Sequence, residues 1–241
     1  MRDYTVKFNP QPQIQRIQLD NGKSVFVIDD VLDQPERIVQ LAHDVASEFV
    51  VAPGSAFPGC QLLMSNDFSS QLDDFFRVHV RKALGGRRSL HMYARMSRVT
   101  LDPSLLDGKQ RICHRDSAGV DASNTIAASV LYLFEDLSLG GTVFFEPLGS
   151  AQDTEQLVCA ASELQPQEFE MKYGWSASYM TQTNAYFKVI GRAPAKQNRI
   201  IFYDGNIFHS SDISHPEKLN APSGLGRLTI NGFFTCTRQA S

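Results

Sequence analysis

His114 and Asp116 stand two apart in the run Arg111-Ile112-Cys113-His114-Arg115-Asp116. Alternate residues of an extended strand share a face, so on a strand this imidazole and carboxylate would aim at one spot. A second imidazole, His209, closes the distant run Arg199-Ile200-Ile201-Phe202-Tyr203-Asp204-Gly205-Asn206-Ile207-Phe208-His209. Two neutral imidazoles and one carboxylate would hold a divalent metal by one face. They would neutralise half its charge and leave the opposite positions open to reactants. Taken alone an H-x-D pair is unspecific, because such tripeptides arise by chance and suit surface turns.

The order of the downstream segments makes the pair informative. A strand-like run, Thr125 to Leu133, contains Tyr132-Leu133, and after an acidic turn comes Gly140-Gly141-Thr142-Val143-Phe144. Beyond His209 lies Arg227-Leu228-Thr229. This series, H-x-D, a Y-L strand, G-G-T-x-F, a distal histidine and R-x-T, resembles the iron(II)- and 2-oxoglutarate-dependent oxygenases. The likeness is strongest to their prolyl-4-hydroxylase-like group and runs from His91 to the end of the chain.

The resemblance implies a jelly-roll core with iron(II) held by His114, Asp116 and His209. It implies that 2-oxoglutarate chelates the iron through its keto-acid end and is oxidised to succinate and carbon dioxide while an unactivated C–H bond is hydroxylated, with ascorbate as a stimulant. Arg227 matches the basic residue that holds the far carboxylate of 2-oxoglutarate, a task suited to the planar guanidinium fork. Thr229 would point the same way, and Tyr132 resembles a tyrosine that hydrogen-bonds that carboxylate in some relatives. Arg227 lies 18 positions after His209, a longer gap than is usual in the group. Lys218 sits nearer the usual spacing and is the rival anchor. The tyrosine that some relatives carry just before H-x-D is missing. Halogenating relatives have a small residue in place of the carboxylate, so Asp116 implies hydroxylation, or a related oxidation, over halogenation. The expected substrate is a small molecule or an amino-acid-like compound. Rival readings are a prolyl-hydroxylase-like enzyme acting on a protein side chain, a jelly-roll binder of metal or carboxylated ligand without turnover, and a cupin-like enzyme using another metal.

The elements that must position these residues are mainly β. Ile14 to Asp30 reads as two short strands around Asp20-Asn21-Gly22. Asp33 reads as an N-cap with Pro35 in the first turn, opening an amphipathic helix with Ile38, Leu41, Ala42, Val45 and Phe49 on one stripe. A second helix is expected from about Asp67 to Leu84, stopped by Gly85-Gly86, with Phe68, Leu72, Phe75 and Phe76 near one face. Both helices would buttress a β core. Asp204-Gly205 marks a turn.

His91 to Leu101 alternates as a strand with Met92, Ala94 and Met96 on one face and Tyr93, Arg95 and Ser97 on the other. Arg95 and Arg98 read as outward-facing charge, the alternative being that one reaches a substrate carboxylate. Tyr186 to Gly191 and Arg199 to Tyr203 suggest a hairpin, the second strand running on to His209, and Arg227 to Thr237 a last strand. Residues 150–183 form an insertion, with a helix at Asp153 to Leu164, that would lie over the site as a lid or pack as surface elaboration. Many short strands with Gly/Pro punctuation behind two helices indicate a double-stranded β-helix with helical support. The expected organisation is a single oxygenase domain over residues 1–241, with 1–90 as support and 91–241 as the jelly-roll core.

Composition sets bounds. At 241 residues and 42% hydrophobic the chain suits one sizeable core. A net charge of −3 argues against a nucleic-acid partner. No apolar run approaches the ~20 residues that span a bilayer, and the start lacks a signal core, so no membrane partner and a cytoplasmic location are expected. Four cysteines, Cys60, Cys113, Cys159 and Cys236, match no zinc pattern and read as free thiols. Oligomeric state is not legible.

Overall fold

A computed structural model describes residues 4–116, 121, 123–220 and 224–238. Strands β1 (Ile14–Gln18) and β2 (Ser24–Ile28) pair antiparallel, and Gly22 at φ +79° makes the tight turn that an L side chain resists. Helix α1 (Pro35–Asp44) buries Ile38 and Ala42. Asp33 is not its cap. Its Oδ1 accepts instead from the Lys7 amide at 2.8 Å, fastening the N-terminal segment, and Gln34 precedes the helix without a side-chain cap.

Strand β3 (Gly59–Leu63), unforeseen in the sequence, leads to α2 (Asn66–His79), where Ser65 caps the Phe68 amide at 3.2 Å. The expected helix to Leu84 is broken at Val80. That residue turns into the core at φ −131°, and a 3-10 turn, Arg81–Leu84, intervenes before Gly85 at φ +76°. Next come β4 (Gly86–Val99), a one-turn α3 (Gly108–Arg111), β5 (Asn124–Tyr132) and β6 (Thr142–Pro147). Helices α4 (Ala151–Glu163) and α5 (Pro166–Tyr173) occupy the insertion. The chain ends with β7 (Phe187–Ala193), β8 (Arg199–Asp204), β9 (Phe208–Ser211) and β10 (Arg227–Arg238).

Seven strands form one antiparallel sheet in the order β1-β2-β8-β5-β10-β4-β3, and three form another in the order β7-β6-β9. The two sheets face one another as a jelly roll, the double-stranded β-helix arrangement, with helices outside. The expected hairpin of β7 with β8 does not form. Strand β7 pairs with β6 while β8 joins the large sheet beside β5 and β2. The chain changes sheet at Asn198, held at φ +59°, whose amide exchanges hydrogen bonds of 3.0 and 2.9 Å with the Leu32 backbone. Nor does β8 run to His209, because the Asp204-Gly205 turn ends it and β9 restarts in the small sheet.

The alternation in β4 has a simple outcome. Ala94 and Met96 bury against α1, α2 and the outer face of the large sheet, in one cluster with Ile38, Phe68, Leu72, Phe76, Phe202 and Phe234. The opposite face of that sheet looks into the roll. There Val25, Val130, Tyr132 and Ile201 meet Phe144 and Ile190 of the small sheet. The outer face of the small sheet, Val143 and Phe145, is covered by Leu157 of α4, Phe169 of α5 and Trp175. Each such cluster supplies the apolar burial that holds its layers together. Among the described residues no helix is long and apolar enough to cross a membrane.

Candidate metal centre

The expected strand through His114 and Asp116 is reduced to one bridge. His114 exchanges backbone hydrogen bonds with His209 at 3.0 and 2.9 Å, and Asp116 donates its amide to the Gly205 carbonyl at 2.8 Å. A regular ladder is prevented because the preceding turn, α3, and the segment behind it are pinned otherwise. The Trp175 indole donates to the Arg111 carbonyl at 3.1 Å, and the Cys113 amide meets Met180 Sδ at 3.3 Å. The insertion thus grips the stretch that delivers His114.

The three side chains nevertheless converge. Ligand atoms of His114, Asp116 and His209 all lie within 4.8 Å of one another, the spacing of a set that could hold one metal ion. Asp116 Oδ1 is 3.6 Å from His114 Nε2 and its Oδ2 3.5 Å from His209 Nε2. His209 Nδ1 lies 2.9 Å from the Ile207 carbonyl, an acceptor only, so Nδ1 carries the hydrogen and Nε2 presents its lone pair. Burial pushes the His209 imidazole down to about 4 against the pull of Asp116, which keeps it neutral at ordinary pH. Burial alone would raise Asp116, yet the facing His209 and His114 outweigh it and hold the carboxyl below its ordinary range. Asp116 Oδ2 is buried without a hydrogen-bond partner among the described residues. An orphaned carboxylate oxygen is costly unless something cationic meets it, so this donor set fits a divalent metal.

These residues open on a cavity of about 260 Å³ whose wall includes Arg227, Thr142, Tyr179, Tyr203, Arg95 and Asn231. Arg227 is 2% exposed, donating to the Gly140 and Gly141 carbonyls at 3.3 and 2.8 Å. Those glycines are required: a Cβ at either would collide with the Asp212 or Ala193 carbonyl. No acidic side chain lies within ion-pair distance of Arg227 among the described residues, since Asp212 is paired with Arg192 at 2.5 Å. Lys218 is on the surface, its ammonium on Ser138 Oγ at 2.8 Å, and does not line the cavity.

Tyr132 and Thr229 are fully buried behind the wall rather than on it. The Tyr132 hydroxyl is 2.8 Å from Thr142 Oγ1, and burial pushes it up to about 12, so it stays a neutral phenol. Thr229 Oγ1 is buried without a partner among the described residues. Asp204 is the turn residue expected, its Oδ1 accepting from the Asn206 amide at 2.9 Å. His215 is exposed beside Glu217 and stands outside the metal set.

Sequence reasoning missed the wall residues Gln61 and Asn231, and for Arg95 it preferred the outward face over the inward alternative. Arg95, read as outward-facing, lines the cavity. The alternation placed it opposite Met96 correctly, but in a two-layer roll the face opposite the helices is the interior. A larger cleft of about 620 Å³, bordered by Glu155 and Val158 of α4, shares His114 with the cavity.

The chain resembles several solved structures remotely. HygX from Streptomyces hygroscopicus, crystallised with nickel and 2-oxoglutarate, is 8% identical with a TM-score of 0.49 over 90% of this chain and 83% of its own. The non-heme alpha ketoglutarate dependent epimerase SnoN from nogalamycin biosynthesis, in complex with Fe3+ and alpha ketoglutarate, is 11% identical with a TM-score of 0.47, over 90% and 82%. EvdO2 from Micromonospora carbonacea var. aurantiaca, complexed with 2-oxoglutarate, is 8% identical with a TM-score of 0.42, over 96% of both chains. No curated protein matches the present chain. One family model, described as "Family of unknown function (DUF6445)", matches residues 10–234, and the chain belongs to that family.

Proposed function

We propose that this protein is an iron(II)- and 2-oxoglutarate-dependent dioxygenase hydroxylating a C–H bond of a small molecule or amino-acid-like substrate. One observation carries the reading. A two-histidine, one-carboxylate set and a buried arginine that has no acidic partner among the described residues share a single cavity. The first suits a metal with open positions; the second suits the carboxylate of a co-substrate.

His114, Asp116 and His209 would hold the iron, and Arg227 would hold the far carboxylate of 2-oxoglutarate. The bound pair supplies oxidising power, with succinate and carbon dioxide as coproducts. His209 contributes a fixed tautomer, because the Ile207 carbonyl keeps the proton on Nδ1. Asp116 contributes the charge. Arg227 keeps its direction through the carbonyls of Gly140 and Gly141, and Thr142 offers a hydroxyl already oriented by Tyr132. Trp175 and Met180 hold the Arg111–Cys113 backbone, and so the placing of His114, from behind. The segment 150–183 thereby supports the site, and α4 flanks the cleft through which His114 meets solvent, a lid-like position.

Succinate release in the presence of iron(II), ascorbate and 2-oxoglutarate tests this, screened over amino acids, peptides and small metabolites. Release with small molecules supports the reading. Release only with peptides would favour the protein-side-chain alternative, and binding without release a non-catalytic jelly roll.

A further inference from the structure

The large sheet lays out its inward residues as a grid. One row reads Tyr203, Ala128, Phe233, Tyr93 across β8, β5, β10 and β4; the next reads Ile201, Val130, Asn231, Arg95. The metal set stands over the first row at its β8 end, where the Tyr203 ring lies 4.8 Å from that of His209. Arg227 pairs with Val99, four residues along β4 from Arg95, so the two guanidinium groups spring from points about 13 Å apart at ordinary strand rise. Arg95 is also three strands from β8, about 14 Å to the side at ordinary strand spacing. Metal, Arg227 and Arg95 therefore mark three corners of the cavity.

Arg95 has no acid within ion-pair distance among the described residues. It reaches Gln61 Oε1 at 3.3 Å and lies over the Tyr93 ring at 5.1 Å, and that ring stacks on Phe233. Gln61 and Asn231 both donate to Ser97 Oγ, at 3.2 and 3.3 Å, which fixes their amides beside it. The lining carries three cations, Arg95, Lys109 and Arg227, against a single carboxylate, Asp116. With a divalent metal and a dicarboxylate co-substrate in place, this cavity would still hold an excess of two positive charges.

We propose that Arg95, flanked by Gln61 and Asn231, is the subsite for a carboxylate on the substrate, whose apolar body lies across Phe233, Val130 and Ala128 toward the metal. The substrate class is then a small organic acid with an apolar chain or ring. This rests on the oxygenase reading for the role of the metal but not for anion binding itself. The guanidinium fork pairs with a carboxylate bidentately, and a neutral isostere would leave it unpaired.

The test reads side-chain Nε–H resonances of arginine-labelled protein by NMR, assigned with Arg95→Gln and Arg227→Gln. Benzoate and benzamide are the probes, added to metal-free protein and to protein loaded with Zn(II) and 2-oxoglutarate. The expected result is that benzoate moves the Arg95 resonance in both states with a preference over benzamide on the order of tenfold or more. Arg95→Gln should abolish that preference and leave 2-oxoglutarate affinity unchanged. Arg95→Lys, which keeps the charge but not the fork, should retain part of it. The proposal is overturned if benzoate leaves Arg95 unmoved, if benzamide matches it, or if 2-oxoglutarate itself moves the Arg95 signal and needs Arg95 to bind. Should the protein form no metal–2-oxoglutarate chelate, the oxygenase reading fails while the metal-free arm still decides the subsite.

Discussion

His114 and His209, 95 residues apart, exchange both backbone hydrogen bonds, and their rings lie 4.4 Å apart centre to centre. One residue pair therefore registers the two halves of the candidate metal set. The bridge fixes the backbones, and the Ile207 carbonyl then fixes which nitrogen of His209 faces Asp116.

Because the bridge is made of main chain, it survives loss of the rings. The His114 side chain is 49% exposed, so His114→Ala should cost less than about 0.5 kcal/mol of stability while abolishing stoichiometric iron binding and turnover. His209→Ala empties a buried position and strands the Ile207 carbonyl, so it should lose the metal and also about 2 kcal/mol. Denaturant melts beside metal analysis would check both, and full iron occupancy in either variant contradicts the assignment.

Arg227 and Lys218 separate cleanly. Arg227→Ala should weaken 2-oxoglutarate by about 3 kcal/mol, roughly a hundredfold, because a desolvated charge pair is removed. Lys218→Ala, on the surface, should leave it unchanged. Titration of the co-substrate against each variant reads this directly. A loss confined to the Lys218 variant would reverse the choice of anchor.

Trp175 is packed rather than poised. It is buried between Phe169 and Tyr186 and holds the Arg111 carbonyl. Trp175→Ala should cost about 3 kcal/mol and depress 2-oxoglutarate turnover and substrate turnover in parallel. Loss of substrate turnover alone, with succinate release intact, would instead indicate direct substrate contact.

A pH test falls on Asp29, far from the metal set. Hydrogen bonds from Arg199 at 2.6 and 3.1 Å, then one from Lys196 at 3.0 Å, hold its carboxyl below the ordinary 3.8. A carboxyl lowered on folding stabilises the fold fully above its unfolded value and loses that contribution as pH falls through the folded one. Wild type should exceed Asp29→Asn by about 1 kcal/mol at neutral pH, the gap closing below the ordinary 3.8. A gap constant down to strongly acid pH would contradict the pairing.

Much of this was legible in the sequence for a physical reason. The α2 stripe, the alternation of β4 and the Asp204-Gly205 turn are local patterns, and each produced its element. The candidate metal set was legible only through the order of H-x-D, G-G-T-x-F, the distal histidine and R-x-T, a series that resembles the iron(II)- and 2-oxoglutarate-dependent oxygenases, and the three side chains do converge. What was illegible depends on partners distant in sequence. The sheet change at Asn198 answers to Leu32, and the pinning of His114 answers to Trp175 and Met180. Arg95 illustrates the same point. Period-two alternation separates two faces but does not say what covers each, and here helices cover the face of Ala94 and Met96 while the face of Arg95 lines the cavity.

The central claim is one iron held by His114, Asp116 and His209 with 2-oxoglutarate beside it. Anaerobic addition of iron(II) and then 2-oxoglutarate, monitored by visible absorption, tests it most directly. A charge-transfer band that saturates at one iron per chain and is lost in His209→Ala is predicted. No band in the wild type, or an equal band in the variant, would contradict it.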